Sequence, residues 1–398
     1  MNFIIDLEPL LQSSCIKKTI YSDRRKCESF ENITNGYSII RYDKSLIDMK
    51  VYDNVKTIGH LRSVVVTKEG SIVSYSPPKS TQWGDFVENM ENITPIVEEY
   101  VEGTMINMFW DEYSSSWEYS TKNTIGCKSH YQHIDFDIYN QPKKQFITMF
   151  LDAFFYNFVN FIQFDKSCCY SFVLQHPENR IVGYVQEPQL YLVACYKITD
   201  KYVFYMDMDH IRSQVNDMIR EKMVTRVLRF PLKYEFTTID EIKQTYESHP
   251  DYNVMGVVIK NPNTGEYAKL RNKTYEQIKK LSGNHTSLLY RYITLSKSGE
   301  LQKYLEYYPE HHSQYYYYYY LLSSFAYTLE TYIQRMLSGG NINHYFTRSK
   351  SHHVNMVYHL KKLIQNNTVD VPKYVNEMDT GNIYYALKQF TRFIADGV

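Results

Sequence analysis

Lys269 and Arg271 stand two residues apart in the run EYAKLR. In a strand that spacing places both side chains on one face, and an ammonium beside a planar guanidinium suits an anion such as a phosphate. Two other residue groups invite metal chemistry. His352, His353 and His359 lie close together in SHHVNMVYHL, yet no Cys or carboxylate pattern completes a zinc set, and they are expected to be ordinary helix-surface histidines. The six cysteines (Cys15, Cys27, Cys127, Cys168, Cys169, Cys195) show no metal-site spacing. The adjacent pair Cys168/Cys169 would point to opposite faces of a strand, so all six are expected as reduced thiols.

The elements that must carry these residues fall into two zones. From about 60 to 270 the chain reads as short β-runs in hairpins: LRSVVV and SIVSYS flank Lys68-Glu69-Gly70, TMINMFW and WEYSTK flank a Ser-rich turn, and YSFVLQ, LYLVACYKI, VMGVVIK and EYAKL follow. Each is rich in β-branched and aromatic residues and bounded by Gly, Pro or Asn. Helices are expected at 145–163, 209–222 and 237–249, the last with Thr238 as N-cap and Glu241 three residues on. After about 273 helical spacing takes over, at 274–281, 287–308 (broken near Ser298-Gly299), 313–337, 351–367 and 382–394. The fold class expected is α+β: a domain on antiparallel sheets at 60–273, preceded by a segment (1–59) packing on its core and followed by an all-helical domain at 274–398.

Composition narrows the classes of function. With 398 residues, 43% hydrophobic, 22% charged, and 44 basic against 44 acidic side chains, the chain is globular and near neutral. That excludes a disordered segment or a strongly basic nucleic-acid binder. Residues 274–398 carry 13 Lys/Arg against 9 Asp/Glu, leaving 31 against 35 in the first 273. The helical stretch 274–398 is therefore expected to be the better candidate for any contact with nucleic acid, with protein binding through its tyrosine-rich face equally open. The apolar run QFITMFLDAFFYNFVNFIQF, 145–164, is interrupted by Asp152, Asn157 and Asn160 and is expected as a buried amphipathic helix, not a membrane span. The N-terminus MNFIIDLEPLLQSSC lacks a basic segment ahead of an apolar run, so no secretory signal is read and an intracellular location is expected. Tyrosine is the outlier at 40 residues. Together with abundant Asn, Ile and Lys it suggests an AT-rich coding sequence, as in some large DNA viruses. Six tyrosines in a row, Tyr315–Tyr320, occupy every direction around a helix, so some rings must face solvent or a partner.

Four blocks occur in a suggestive order: LRSVVVTKEGSIVSYSPPKS (61–80), YVEGT (100–104) with a hairpin ending in STKNTIG (120–126), CYSFVLQHPENRIVGYVQEPQLYLVACYKI (169–198), and MGVVIKNPNTGEYAKLRNKTY (255–275). In this order they resemble the adenylyltransferase domain of the RNA ligases of T-even phages and their relatives, which also carry a helical C-terminal domain. The resemblance implies a nucleotidyltransferase fold. In that family a lysine amine attacks the α-phosphate of ATP, AMP passes to a 5′-phosphate end, and a 3′-hydroxyl is joined to it, with carboxylates holding a divalent metal.

The residues at the matching positions depart from this pattern. Tyr100 stands where the nucleophilic lysine belongs, Val173 where the carboxylate of a Phe-Glu strand belongs, and Met255 where the Glu of Glu-Gly-Val-Val belongs. Apolar Val and Met cannot ligate Mg²⁺, and a phenol with a pKa near ~10 is mostly protonated at neutral pH. The expectation is a shell of a ligase, with no catalytic lysine and no metal site. Its remaining candidates for binding nucleotide or phosphate are Arg62, Lys79, Glu102, Gly103, Lys122, Arg180, Lys269 and Arg271. ATP and Mg²⁺ enter only if activity is retained through another nucleophile, such as Tyr100, Lys79 or Lys122. The partners expected are RNA or another nucleic acid, or a viral or host protein.

Overall fold

A computed structural model gives the architecture; it describes residues 3–395 except 32, 131–143, 158–163, 223–227, 339–358, 360, 361, 364 and 366–369. The chain divides into two compact units, one holding the described residues up to 277 and the other those from 278 onward.

The first unit is built on three antiparallel sheets. One has five strands in the order β3 (Arg25–Cys27), β2 (Ile16–Ser22), β4 (Tyr37–Tyr42), β5 (Val64–Thr67), β6 (Ile72–Tyr75). A second has six: β1 (Ile4–Asp6), β12 (Tyr202–Tyr205), β11 (Gln189–Thr199), β10 (Cys168–Gln175), β8 (Thr104–Asp111), β9 (Ser116–Ser120). The third has four: β13 (Lys233–Tyr234), β7 (Ile96–Glu99), β14 (Gly256–Lys260), β15 (Tyr267–Arg271). Residues 1–59 thus supply strands to two of the three sheets.

Alternation along the strands sets the cores. Cys169 joins the cluster of Ile39, Val64, Tyr75, Phe109 and Tyr196, whereas its neighbour Cys168 joins Met108, Phe150, Phe172 and Leu192 on the opposite side of the six-stranded sheet. The helix Phe146–Tyr156 covers that second side, with Phe146, Met149, Phe150 and Ala153 buried. This is the spacing expected of an amphipathic helix; residues 158–163 of the expected helix lie outside the described residues. No described helix is long and apolar enough to cross a membrane. The helix Ile239–Tyr246 starts at a complete capping box, Thr238 accepting from the Glu241 N–H while Glu241 accepts from the Thr238 N–H, which satisfies two donors that the helix end would otherwise leave open.

The second unit is helical, with Leu288–Ser298, Leu301–Tyr307, His312–Leu337, Val371–Glu377 and Thr380–Ala395. Gly299, in the left-handed region at φ 73°, ends the first of these, as Gly does at many helix C-termini. In the tyrosine run, Tyr315 and Tyr318 are buried while Tyr316, Tyr319 and Tyr320 are exposed. His359 departs from expectation: it is buried rather than on the helix surface, and shares a 2.8 Å hydrogen bond between its Nδ1 and the Tyr374 hydroxyl. Burial lowers its pKa. His352 and His353 lie outside the described residues.

Candidate functional site

Tyr100 leaves the end of β7, its N–H donating to Gly256 O on β14 at 3.1 Å. Gly256 in turn faces Arg271 across the β14–β15 ladder, and Val258 faces Lys269. At φ +132° Gly256 has no room for a Cβ, which would come within 2.9 Å of the Arg271 Cα. Only glycine fits there, and the backbones of β14 and β15 approach closely at this point. Lys269 Nζ donates to the Tyr100 hydroxyl at 3.1 Å and lies 4.4 Å from its ring centre. Arg271 lies 6.0 Å from the same ring.

These charges change the phenol. Burial acts to raise the Tyr100 pKa, but the Lys269 ammonium and then Arg271 more than reverse it, and the net shift is downward. Lys269 is itself lowered, first by burial and then, against the pull of Tyr100, by the Arg62 and Arg271 charges.

The cations form a larger group. Lys122 is lowered to about 8, first by burial and then by Arg62, Lys44, Arg41 and Lys79. Lys79 is lowered by burial, then by Arg62, Lys44 and Arg271. The N-terminal sheet fastens this edge: Tyr21 donates to Asn123 O at 2.7 Å and Arg41 donates to the Asn123 side-chain oxygen, while the Lys122 ammonium sits 5.6 Å from the Tyr42 ring centre. Arg62 donates to Pro78 O, and Lys79 is tied back through its own N–H to Gly59 O at 3.0 Å. Arg271 pairs with Glu276 at 3.1 Å. Among the described residues, Lys44, Arg62, Lys79, Lys122 and Lys269 have no carboxylate partner.

Beside this group opens a cavity of ≈ 370 Å³, lined by Arg62, Tyr100, Tyr267 and Lys269 at one part and by Val101, Met105, Val173 and Val193 at another. Val101, Val173 and Tyr191 are buried together, with Met105 and Val193 packed on them. Such a mix of apolar wall and few polar groups suits a small ligand. The four carboxylates that line the cavity are otherwise engaged: Glu98 pairs with Lys260 and Asp209 with Lys233, both at 2.6 Å, Glu99 accepts the Leu232 N–H at 3.2 Å, and Asp207 accepts the Asp209 N–H at 2.9 Å.

The remaining sequence candidates make contacts of their own. Glu102 is buried and accepts the N–H groups of Val182 and Gly183, each at 3.1 Å; its carboxylate anchors that loop. Gly103, at φ +150°, lies so close to β10 that a Cβ would meet Val173 Cγ1 at 2.7 Å. Arg180 donates to Val182 O at 3.1 Å and lies 5.7 Å from the Tyr184 ring centre, on its own loop. Asn179 donates to the Thr104 hydroxyl at 3.0 Å. The structure thus joins Arg62, Lys79, Lys122, Lys269 and Arg271 into one group and leaves Glu102, Gly103 and Arg180 in supporting positions. Arg41 and Lys44 were not expected. No local spacing marks them, because only the pairing of β2, β4 and the 121–124 turn brings them near.

The residues present do not fit a divalent cation at the positions the resemblance implies. Val173 is buried in the apolar wall and Met255 offers no oxygen from its side chain. Among the described residues no group of three or more His, Cys, Asp or Glu could hold a metal ion.

No family model matches the chain, and no curated protein sequence matches it. Among solved structures it is similar to a lysine-to-alanine variant of the RNA ligase of Naegleria gruberi with ATP and Mn, at 11% identity and a TM-score of 0.38, over 52% of this chain and 58% of that one. The same ligase with PPi gives 12% identity and a TM-score of 0.35, over 52% of this chain and 64% of the other. The chain therefore spans less than two thirds of those ligase chains.

Proposed function

We propose that this protein is an RNA-ligase-like protein without end-joining activity, which binds the phosphates of a nucleoside polyphosphate or of a phosphorylated nucleic-acid end. The observation that carries this reading is the group of Lys44, Arg62, Lys79, Lys122 and Lys269, which have no carboxylate partner among the described residues, in a unit that carries more acid than base. Like charges so gathered raise the free energy of the ligand-free protein, and a polyanion relieves them. The adjoining cavity gives a base and sugar an apolar wall of Val101, Val173 and Met105.

What is missing argues against a working ligase. Formation of a lysyl-nucleotide needs an amine at the place of Tyr100, and metal-assisted phosphoryl chemistry needs oxygen ligands where Val173 and Met255 stand. The order of the sequence blocks is what points to the ligase class and to RNA or another nucleic acid as partner. A viral setting, and a scaffold role within a viral or host complex, belong to the same proposal.

The test is thermal unfolding with inorganic tripolyphosphate and with ATP, both in the presence of a chelator. At a hundredfold excess over Kd a one-site ligand stabilises by about 2.7 kcal/mol, roughly 5–10 °C for a unit of this size. Arg62→Ala removes a charge-assisted contact and is expected to weaken binding by about 1.5–3 kcal/mol. Absence of any shift with either ligand would overturn the reading.

A further inference from the structure

The helix His312–Leu337 has one face in the core of its unit and another in solvent. Tyr315, Tyr318, Leu321, Phe325 and Leu329 are buried. On the other side Ser313, Tyr316, Tyr320, Ser323, Tyr327 and Glu330 are exposed, at alternating spacings of three and four residues. That is the 3.5-residue repeat with which one helix meets a second. Tyr316, Tyr319, Tyr320 and Tyr327 remain 62%, 55%, 50% and 71% exposed. Tyr316 and Tyr320 are already ordered against each other, edge to face at 4.7 Å and sharing a 2.6 Å hydrogen bond between their hydroxyls; order present before contact lowers the entropy cost of binding.

Charge and size select the occupant. Residues 313–329 contain no Lys, Arg, Asp or Glu. The stripe therefore offers no cation for a phosphate backbone, which surfaces that stack single-stranded bases supply, and no like charges to repel a second copy. Its side chains are self-complementary when the helix is turned end for end. About an axis between residues 321 and 322, Tyr320 lies over Ser323 and Tyr319 over Ser324 between copies, large against small, while Tyr316 lies over Tyr327; each pairing occurs twice. The same operation brings Arg335 at one end toward Glu310 at the other, an opposite-charge match. At ~150–250 Å² for a fully covered ring, the four tyrosines alone offer roughly 500 Å² per copy. Two copies together bury about 1,000 Å², which reaches the lower bound of a specific interface. We propose that this face forms a two-fold homodimer, in which the stripe 316–327 pairs antiparallel with the same stripe of a second copy. The dimer is independent of the phosphate-binding reading.

The experiment is sedimentation velocity of the full chain across a concentration series. The interface variant is Tyr316→Ser with Tyr327→Ser, and thermal melts of dilute samples control for folding. The expected result is that wild type passes from one-chain to two-chain mass as concentration rises, and that the variant needs over a hundredfold more protein, at about tenfold for each truncated tyrosine anchor; the two melt alike when dilute. Orientation is read with single added cysteines and a short bis-maleimide. Ser323→Cys, beside the axis, crosslinks to its own copy above the wild-type background. Ser313→Cys, roughly 25 Å along the helix from its own copy at 1.5 Å per residue, does not. Wild type of one-chain mass at every concentration, a dimer untouched by the double variant, or equal crosslinking at both positions would each overturn the inference. So would a monomer that binds an oligouridylate only while Tyr316 and Tyr327 are intact, which would make the face a nucleic-acid platform.

Discussion

If five cations are gathered with no carboxylate partner among the described residues, removing one should stabilise the empty protein and weaken its grip on an anion. Lys122→Met is the sharpest case, since methionine keeps the apolar stem against Tyr42. The Lys122 pKa falls from 10.5 to about 8. For an enclosed group that difference corresponds to about 3 kcal/mol of unfavourable charging. Lys122 is only half-buried, and solvent screening reduces the figure to about 1–2 kcal/mol. The sign follows from proton binding: between about 8 and 10.5 the unfolded chain holds the proton that the folded chain has released, so wild-type stability rises with pH across that window. Below pH 8 the penalty is fully present. At pH 7 without ligand, Lys122→Met should therefore melt about 2–8 °C higher than wild type, and the gap should close as pH approaches 10.5. With saturating tripolyphosphate the order should reverse. A variant that melts lower than wild type in ligand-free buffer at pH 7 would refute the reasoning that the cation group is electrostatically strained.

Two further outcomes probe the scaffold. Gly103→Ala must place a Cβ against Val173 and the Leu174 carbonyl at φ +150°, and is expected to lose about 2–4 kcal/mol in denaturant unfolding. His60 shares a 2.9 Å hydrogen bond with the Tyr75 hydroxyl, and burial lowers its pKa to about 4 from an ordinary 6.5. The unfolded chain therefore takes up a proton before the folded one as pH falls from 6.5 to 4, and stability declines there at up to about 1.4 kcal/mol per pH unit from this group; His60→Gln should show a shallower acid limb in urea melts across that range.

The legible parts of the molecule were those written in local chemistry. The capping box at Thr238 and Glu241, the helix break at Gly299, and the hairpins around Gly70 and residues 114–116 each depend on a few adjacent residues, and each appears where the sequence places it. The shared face of Lys269 and Arg271 likewise follows from strand alternation, and both meet Tyr100. Less legible was anything set by pairing over long separations. Arg41 and Lys44 join the cation group only because β4 packs beside the 121–124 turn, and their spacing carries no mark of it. Nor does the motif frame show that Glu102 accepts from Val182 and Gly183 and that Arg180 donates to Val182 O; a motif gives position but not the direction in which a side chain finds its partners. His359 was misplaced for a similar reason, since the sequence does not fix which way a helix histidine faces until its neighbour, here Tyr374, is known.

The central claim is that the cation group beside Tyr100 binds a polyphosphate without a divalent metal. Isothermal titration of ATP into the protein in chelator, repeated with Mg²⁺, tests it most directly. The account predicts one site per chain with chelator present, an affinity that falls as salt is raised, and no need for Mg²⁺. Heat of binding seen only when Mg²⁺ is supplied, or none under either condition, would contradict it.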